Sequence, residues 1–261
     1  MAGYFPNPLT ILLALLVIPG RQLSLAVLMH EAGHGTLFRT PWLNRWVGQW
    51  FCALPTFADL DSYAADHLLH HRYAGTIEDP DLPNYRHYPI GKESFRRKVW
   101  RDLSGQTGVK LLVGIIRGAA GITTRGQRKG WGIPLQQLLA QLVLGTLLWW
   151  LGIAWVYVLY LGAFLTLFML IIRVRQIAEH GAVPNLLDRD PRSNTRTVLA
   201  PLWQRVLIAP SYVNYHLEHH LHPGVPCYRL PRLHALLMAR GYLREGDLLR
   251  TYQDVLRHAL V

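Results

Sequence analysis

Forty consecutive residues, 133 to 172, contain no Asp, Glu, Lys, Arg or His. Two helices of about 20 residues each would carry such a run across a hydrocarbon core about 30 Å thick, with Leu151-Gly152 as the hinge. Trp149, Trp150, Trp155 and Tyr157 cluster around that hinge, as the rings of an aromatic belt do at a membrane interface. A further apolar run, Leu9 to Met29, is long enough to span if Arg21 faces protein or headgroups. No cationic segment precedes it, so a cleaved signal peptide is not expected. The expectation is an all-α integral membrane protein of about three to four transmembrane helices and a helical cap, one domain over 1–261 with spans at about 9–29, 133–151 and 153–172.

Charge is segregated around these runs. The net charge is +11, and residues 91 to 130 hold ten Lys or Arg against only Glu93 and Asp102. Basic segments beside apolar spans, without a nucleic-acid motif, point to lipid headgroups or an acidic protein rather than to nucleic acid. Nearly all cations follow residue 38 and lie outside the hairpin. The positive-inside rule then puts residues 30–130 and 173–261 together on the cytoplasmic side of what reads as a bacterial inner membrane. Residues 42–57 (WLNRWVGQWFCALPTF) are apolar but too short to cross, and read as an interfacial or re-entrant helix. Residues 91–130 should form basic helices on the membrane surface, broken by the glycines between 105 and 132. The two cysteines, Cys52 and Cys227, form no CxxC pair.

Eight of the 13 histidines fall into three short groups: HEAGH (His30, His34), HLLHH (His67, His70, His71) and HLEHH (His216, His219, His220). On a helix, residues at i, i+3 and i+4 share a face, so each group can aim its imidazoles at a common point. One zinc takes about four protein ligands at most. Eight histidines therefore favour two metal ions, and imidazole alone leaves iron, zinc and copper open. His180, closing RVRQIAEH just past the third span, is a candidate ninth ligand, with Gln176 one turn before it. His87, His222, His234 and His258 stand outside the pattern. Metal-bound imidazoles usually donate their second N–H to a carboxylate or carbonyl. Glu31, Asp66, Glu179, Glu218, Asp79 and Asp81 lie near enough in sequence to be such acceptors.

Two other readings compete. HEAGH is also the zinc-protease signature, with Glu31 as base and Asp188 as a possible third ligand. That reading leaves most clustered histidines idle. A metal transporter would place ionisable groups at mid-membrane, and the hairpin has none.

In order and spacing, the three groups resemble the histidine boxes of the membrane fatty acid desaturase and hydroxylase superfamily, HxxxH or HxxxxH, HxxHH, and HxxHH or QxxHH. HHRYAGTIEDPD after the second box is a further match. YHLEHHLHPGVPCYRLP is also similar to carotenoid ketolases and hydroxylases, and RQIAEHG to bacterial acyl desaturase relatives. The resemblance implies a non-haem diiron centre that uses O2 and two electrons to attack an unactivated C–H bond of a fatty acyl or other lipid chain. Desaturation is the leading outcome; hydroxylation and ketolation use the same ligands. It carries over His30, His34, His67, His70, His71, His216, His219 and His220 as iron ligands, with His180 as the ninth and no catalytic residue beyond them. It also implies a separate electron donor such as ferredoxin, rubredoxin or cytochrome b5 with its reductase. Family members usually place two spans before the first box; here 29 residues precede His30, room for one.

Overall fold

The computed structural model describes residues 2–121, 130–245 and 248–261. Among them there is no strand, only the isolated bridges Ile90–Leu260 and Val198–Leu249. Three helices among the described residues are long and apolar enough to cross a membrane: α1 (Pro8–Gly33), α6 (Gly132–Trp150) and α7 (Val156–His180). Between α1 and α6 lie α2 (Pro41–Val47), α3 (Leu60–Tyr73), α4 (Lys92–Leu103) and α5 (Gln106–Ala119). After α7 come α8 (Leu202–Leu207), α9 (His216–Leu221), α10 (Leu230–Ala239) and α11 (Tyr252–Ala259).

Helix α1 opens with a reciprocal cap. The Thr10 amide donates to Asn7 Oδ1 at 3.0 Å and the Asn7 amide to Thr10 Oγ1 at 3.1 Å. Its first turn sits beside the hairpin hinge, where Tyr4 donates to the Leu151 carbonyl and Trp155 to that of Gly3. Trp149 and Trp150 are the most exposed side chains there, at 72% and 75%, as belt residues should be.

Two of the spanning helices run beyond the expected spans. Helix α1 runs past Met29 to Gly33, so HEAGH forms the last turn and C-cap of the same continuous helix. Helix α7 runs past Ile172 to His180, and charged residues enter it because each has a partner. Arg173 forms a two-pronged ion pair with Asp102 of α4, at 2.5 and 2.8 Å, and Arg175 pairs with Glu179 one turn on. Arg21 of α1 is exposed but donates to the Val206 carbonyl of α8 at 2.6 Å, a protein partner of the kind that a charge in a span requires.

The segment expected to be interfacial or re-entrant is helical throughout. Helix α2 continues as a π turn, Gly48–Ala53, and a 3-10 turn, Leu54–Thr56. Gly48 allows the crossing of α1, because a Cβ there would lie 2.5 Å from that of Ala32. The carbonyls at the end of this segment are capped by polar side chains of the spans. Gln141 donates to Leu54 and Pro55, Gln137 to Phe57 and Ala58, and the Tyr160 hydroxyl to Pro55 at 2.7 Å. Gln141 stands at the middle of α6. Capping by side chains from the middle of a spanning helix fits the re-entrant path of the two, since open backbone is tolerated in a bilayer only where protein covers it.

Helices α4 and α5 account for most of the basic stretch and are broken at Gly105, whose φ is +81°; residues 122–129 of that expectation lie outside the described residues. Arg96, Arg97, Trp100 and Arg101 are exposed on α4, and Val109, Val113 and Ile116 form an exposed apolar line on α5. That mixture suits a membrane surface.

Three apolar clusters hold the parts together. Leu23 and Val27 of α1 pack on Phe164, Phe168 and Met169 of α7. Met29 and Ala32 pack on Cys52, Ala53 and Leu60. Ile177 and Ala178 at the top of α7 pack under Tyr85, Val198, Tyr252 and Val255 of the cap. Thus α1 and α7 each run from the lipid-level cluster into the cap.

Replacing Gln141 by leucine removes a donor shared by two carbonyls at membrane depth. The expected cost is about 1–3 kcal/mol, read as a lowered Tm in detergent; an unchanged melting profile would contradict the capping role of Gln141.

Candidate metal centre

Helix α1 delivers His30 and His34 in its last turn and C-cap. Helix α3 delivers His67, His70 and His71, and is started by Asp59, whose side chain accepts from the Ser62 amide. Gln49 of the re-entrant segment secures the same end, bonding both the Leu60 amide and Asp59. The short α9 delivers His216, His219 and His220, and α7 ends on His180.

The nine imidazoles form two groups. One contains His30, His34, His67, His71 and His219; the other contains His70, His180, His216 and His220. Within each group the ligand nitrogens all lie within 4.8 Å of one another. Each HxxHH box divides between the groups instead of aiming at one point. In α3, His67 and His71 join the first group and His70 the second; in α9, His216 and His220 join the second and His219 the first. The reason is angular. Positions i and i+4 differ by about 40° around a helix and i+3 lies about 60° to the other side, so one helix faces two centres. The groups are adjacent, with the His71 and His220 ring centroids 4.4 Å apart.

The nitrogens suit a cation. Nε2···Nε2 separations are 2.9 Å for His67–His71 and His71–His219, 3.0 Å for His30–His219, His180–His216 and His216–His220, and 3.3 Å for His70–His220. Two nitrogens about 2.1 Å from a common ion at a right angle would stand about 3.0 Å apart. His70 Nδ1–H donates to Asp79 Oδ1 at 2.9 Å and His180 Nδ1–H to the Asn194 carbonyl at 2.9 Å. Both rings therefore present bare Nε2 lone pairs inward. His34 Nε2 is buried without a protein partner, an orphan that a metal ion would satisfy.

Burial, and then the charge of neighbouring histidines, depresses His34 to about 4 and His71 to about 2, and holds His67, His216, His219 and His220 well below the usual imidazole value. These rings are neutral at physiological pH, the form that binds metal.

Of the carboxylates named from sequence, Asp79 is the one bonded most directly to a clustered ring. It also accepts from the Tyr85 hydroxyl and the Asp81 amide. Burial alone would raise its pKa, but these bonds and that from His70 hold it below the ordinary value. Glu31 lies 3.4 Å from His30 Nδ1 and accepts from Thr36 and the Cys227 amide. Glu179 lies 3.7 Å from His216 Nδ1. Glu218 turns away from the clusters, accepting from His234 at 2.6 Å and from Thr197. Asp81 reaches only 4.0 Å from His70, and Asp66 is exposed. Gln176 is half-buried and hydrogen-bonds no clustered ring, while His87, His222 and His258 are exposed. Asp188 belongs to neither group, and three further histidines crowd His30 and His34. That arrangement does not fit a two-histidine, one-aspartate zinc site.

Sequence reasoning missed Arg175, Asn194 and Tyr85. The only advance signal was for Arg175, a cation three residues past the expected end of a span. Gly75 was also unforeseen in its role: at φ +79°, a Cβ there would sit 2.1 Å from the Asp188 carbonyl oxygen. Its bare backbone lets the chain after α3 close on the loop that carries Asn194.

A small cavity of about 20 Å³ touches both groups, lined by His30, His216 and His219 with Val27, Arg175 and Leu230 among its walls. That is room for about one water-sized molecule.

Comparison with known proteins gives concordant matches. The chain is 28% identical over 243 residues to dihydrorhizobitoxine desaturase of Bradyrhizobium elkanii, covering 87% of this chain and 67% of that protein. It is 27% identical over 229 residues to a beta-carotene ketolase of a Paracoccus species, covering 87% of this chain and 80% of the ketolase. A sequence model of fatty acid desaturases matches residues 6–252. With all three histidine boxes inside that match, the chain belongs to the fatty acid desaturase family.

Proposed function

We propose that this chain is an oxidoreductase that uses O2 to oxidise an aliphatic C–H of a lipid chain at a pair of iron ions, with desaturation as the outcome. The observation that carries the reading is the gathering of nine imidazoles into adjacent groups of five and four, within a desaturase family chain. His30, His34, His67, His71 and His219 would hold one ion, and His70, His180, His216 and His220 the other. Bound there, iron would supply the redox chemistry that dioxygen and an unactivated C–H bond require. Iron is favoured over zinc because the family reaction is a redox one, which zinc does not perform.

The protein's own residues prepare that chemistry. Asp79 and the Asn194 carbonyl hold His70 and His180 as Nδ1–H tautomers, which orients the rings. Val27, Val213 and Leu230 give the cavity beside the histidines an apolar wall. At about 20 Å³ the cavity has room for a molecule the size of O2 but not for a hydrocarbon chain. Desaturation removes two hydrogens from the substrate; with two further electrons and two protons, O2 leaves as two waters. The electrons come from a separate donor, and an acidic ferredoxin, rubredoxin or cytochrome b5 would be steered by the net positive charge. The cations beside the spans favour a cytoplasmic histidine face in a bacterial inner membrane. Ketone formation is the second reading, favoured by the beta-carotene ketolase relatives.

The test is metal analysis joined to product analysis. Anaerobically purified protein should carry two irons per chain, one for each group. A host expressing it with a competent donor should accumulate lipids or pigments that have lost two hydrogens, absent with His70→Ala. Identical profiles in the two hosts would refute the lipid oxidation, a gained oxygen with loss of two hydrogens would select the second reading, and a single zinc would refute the iron pair. Asp79→Ala should weaken metal affinity by about 10–100-fold, measured by titrating metal into the stripped protein.

A further inference from the structure

We infer that Arg175 and Glu179 are positioning residues for the second histidine group, acting through His216. The inference rests on the two-ion reading and extends it to residues outside the ligand set.

Arg175 is a largely buried cation in the last turns of α7, where an unpaired charge is costly. Its Nε and Nη2 donate to the two oxygens of Glu179 at 2.5 and 3.2 Å. The pair is sheltered, with side-chain exposures of 17% and 9%. Glu179 Oε1, the oxygen taken by Arg175 Nε, is also the atom 3.7 Å from His216 Nδ1. His216 Nε2 in turn lies 3.0 Å from both His180 and His220. Arg175 therefore fixes the carboxylate that faces the outer nitrogen of a candidate ligand. The other anchored rings of this group are held in the same manner, His70 by Asp79 and His180 by the Asn194 carbonyl. Glu179 completes that set for His216.

A bound cation makes the far N–H of an imidazole a stronger donor, so the 3.7 Å approach should tighten on metal binding. Arg175 also lines the small cavity shared by both groups. Its neighbour Arg173 supplies the control: it stands two positions back on the same helix, in an equally sheltered ion pair, but its partner is Asp102 of α4, which makes no contact with a histidine.

The experiment titrates cobalt(II) into the metal-stripped full chain in detergent, reading ligand-field absorption and bound cobalt per chain. Wild type should take up two ions. Arg175→Gln should retain one tight ion and bind the second about 10–100-fold more weakly, with Arg175→Lys recovering part of the loss and Arg173→Gln binding as wild type does. Glu179→Gln, which keeps the shape of the side chain, should weaken the second ion in the same direction and serves if Arg175→Gln fails to fold. Two equally tight ions in folded Arg175→Gln or Glu179→Gln would overturn the inference alone, as would an equal loss in Arg173→Gln. One ion in wild type would overturn the two-ion reading and this inference with it.

Discussion

The structure depends on holding neutral imidazole lone pairs against one another. Nitrogens about 3 Å apart with their outer N–H groups already committed have nothing to donate inward, and His70 and His180 are in that state. The arrangement is stable only where the surroundings over-determine it or a cation occupies the centre. The helices that carry the rings are therefore each pinned separately, α7 at its end by the bond from His180 to the Asn194 carbonyl. Asp59 and Gln49 secure the start of α3, and Glu218 ties α9 to His234 and Thr197. Glu31 ties the end of α1 to the Cys227 amide.

A second constraint comes from the membrane. A carbonyl or a charge placed at lipid depth must find its partner within the protein. Gln137, Gln141 and Tyr160 meet that need for the re-entrant segment, and Arg173 finds Asp102. These contacts do more than satisfy polar atoms. The re-entrant segment bears Gln49, so its placement is passed to α3 and hence to three histidines.

Much of the architecture was legible because its causes are local. The charge-free run 133–172 admits little but a pair of spanning helices, and the box spacings mark helical faces. Helix ends were less legible. The helix of the third span continues to His180; Arg175 and Glu179 pair one turn apart within it, whereas Arg173 is neutralised by Asp102, 71 positions away, a partner that the linear order does not reveal. The capping of the segment 42–57 likewise rests on Gln141, 86 to 87 positions away from the carbonyls that it satisfies.

The amino-acid order alone determined that this chain is helical, that it has segments able to cross a lipid bilayer, and that its clustered histidines lie on short helical faces, since those properties follow from composition and from the period of one helix. The tertiary structure decided how the histidines are shared. Two faces of each HxxHH helix point to different centres, and which ring joins which centre depends on the rotation of α3 and α9 against α1 and α7. That rotation is set by packing and capping between segments distant in sequence, and a spacing rule within one helix carries no information about it.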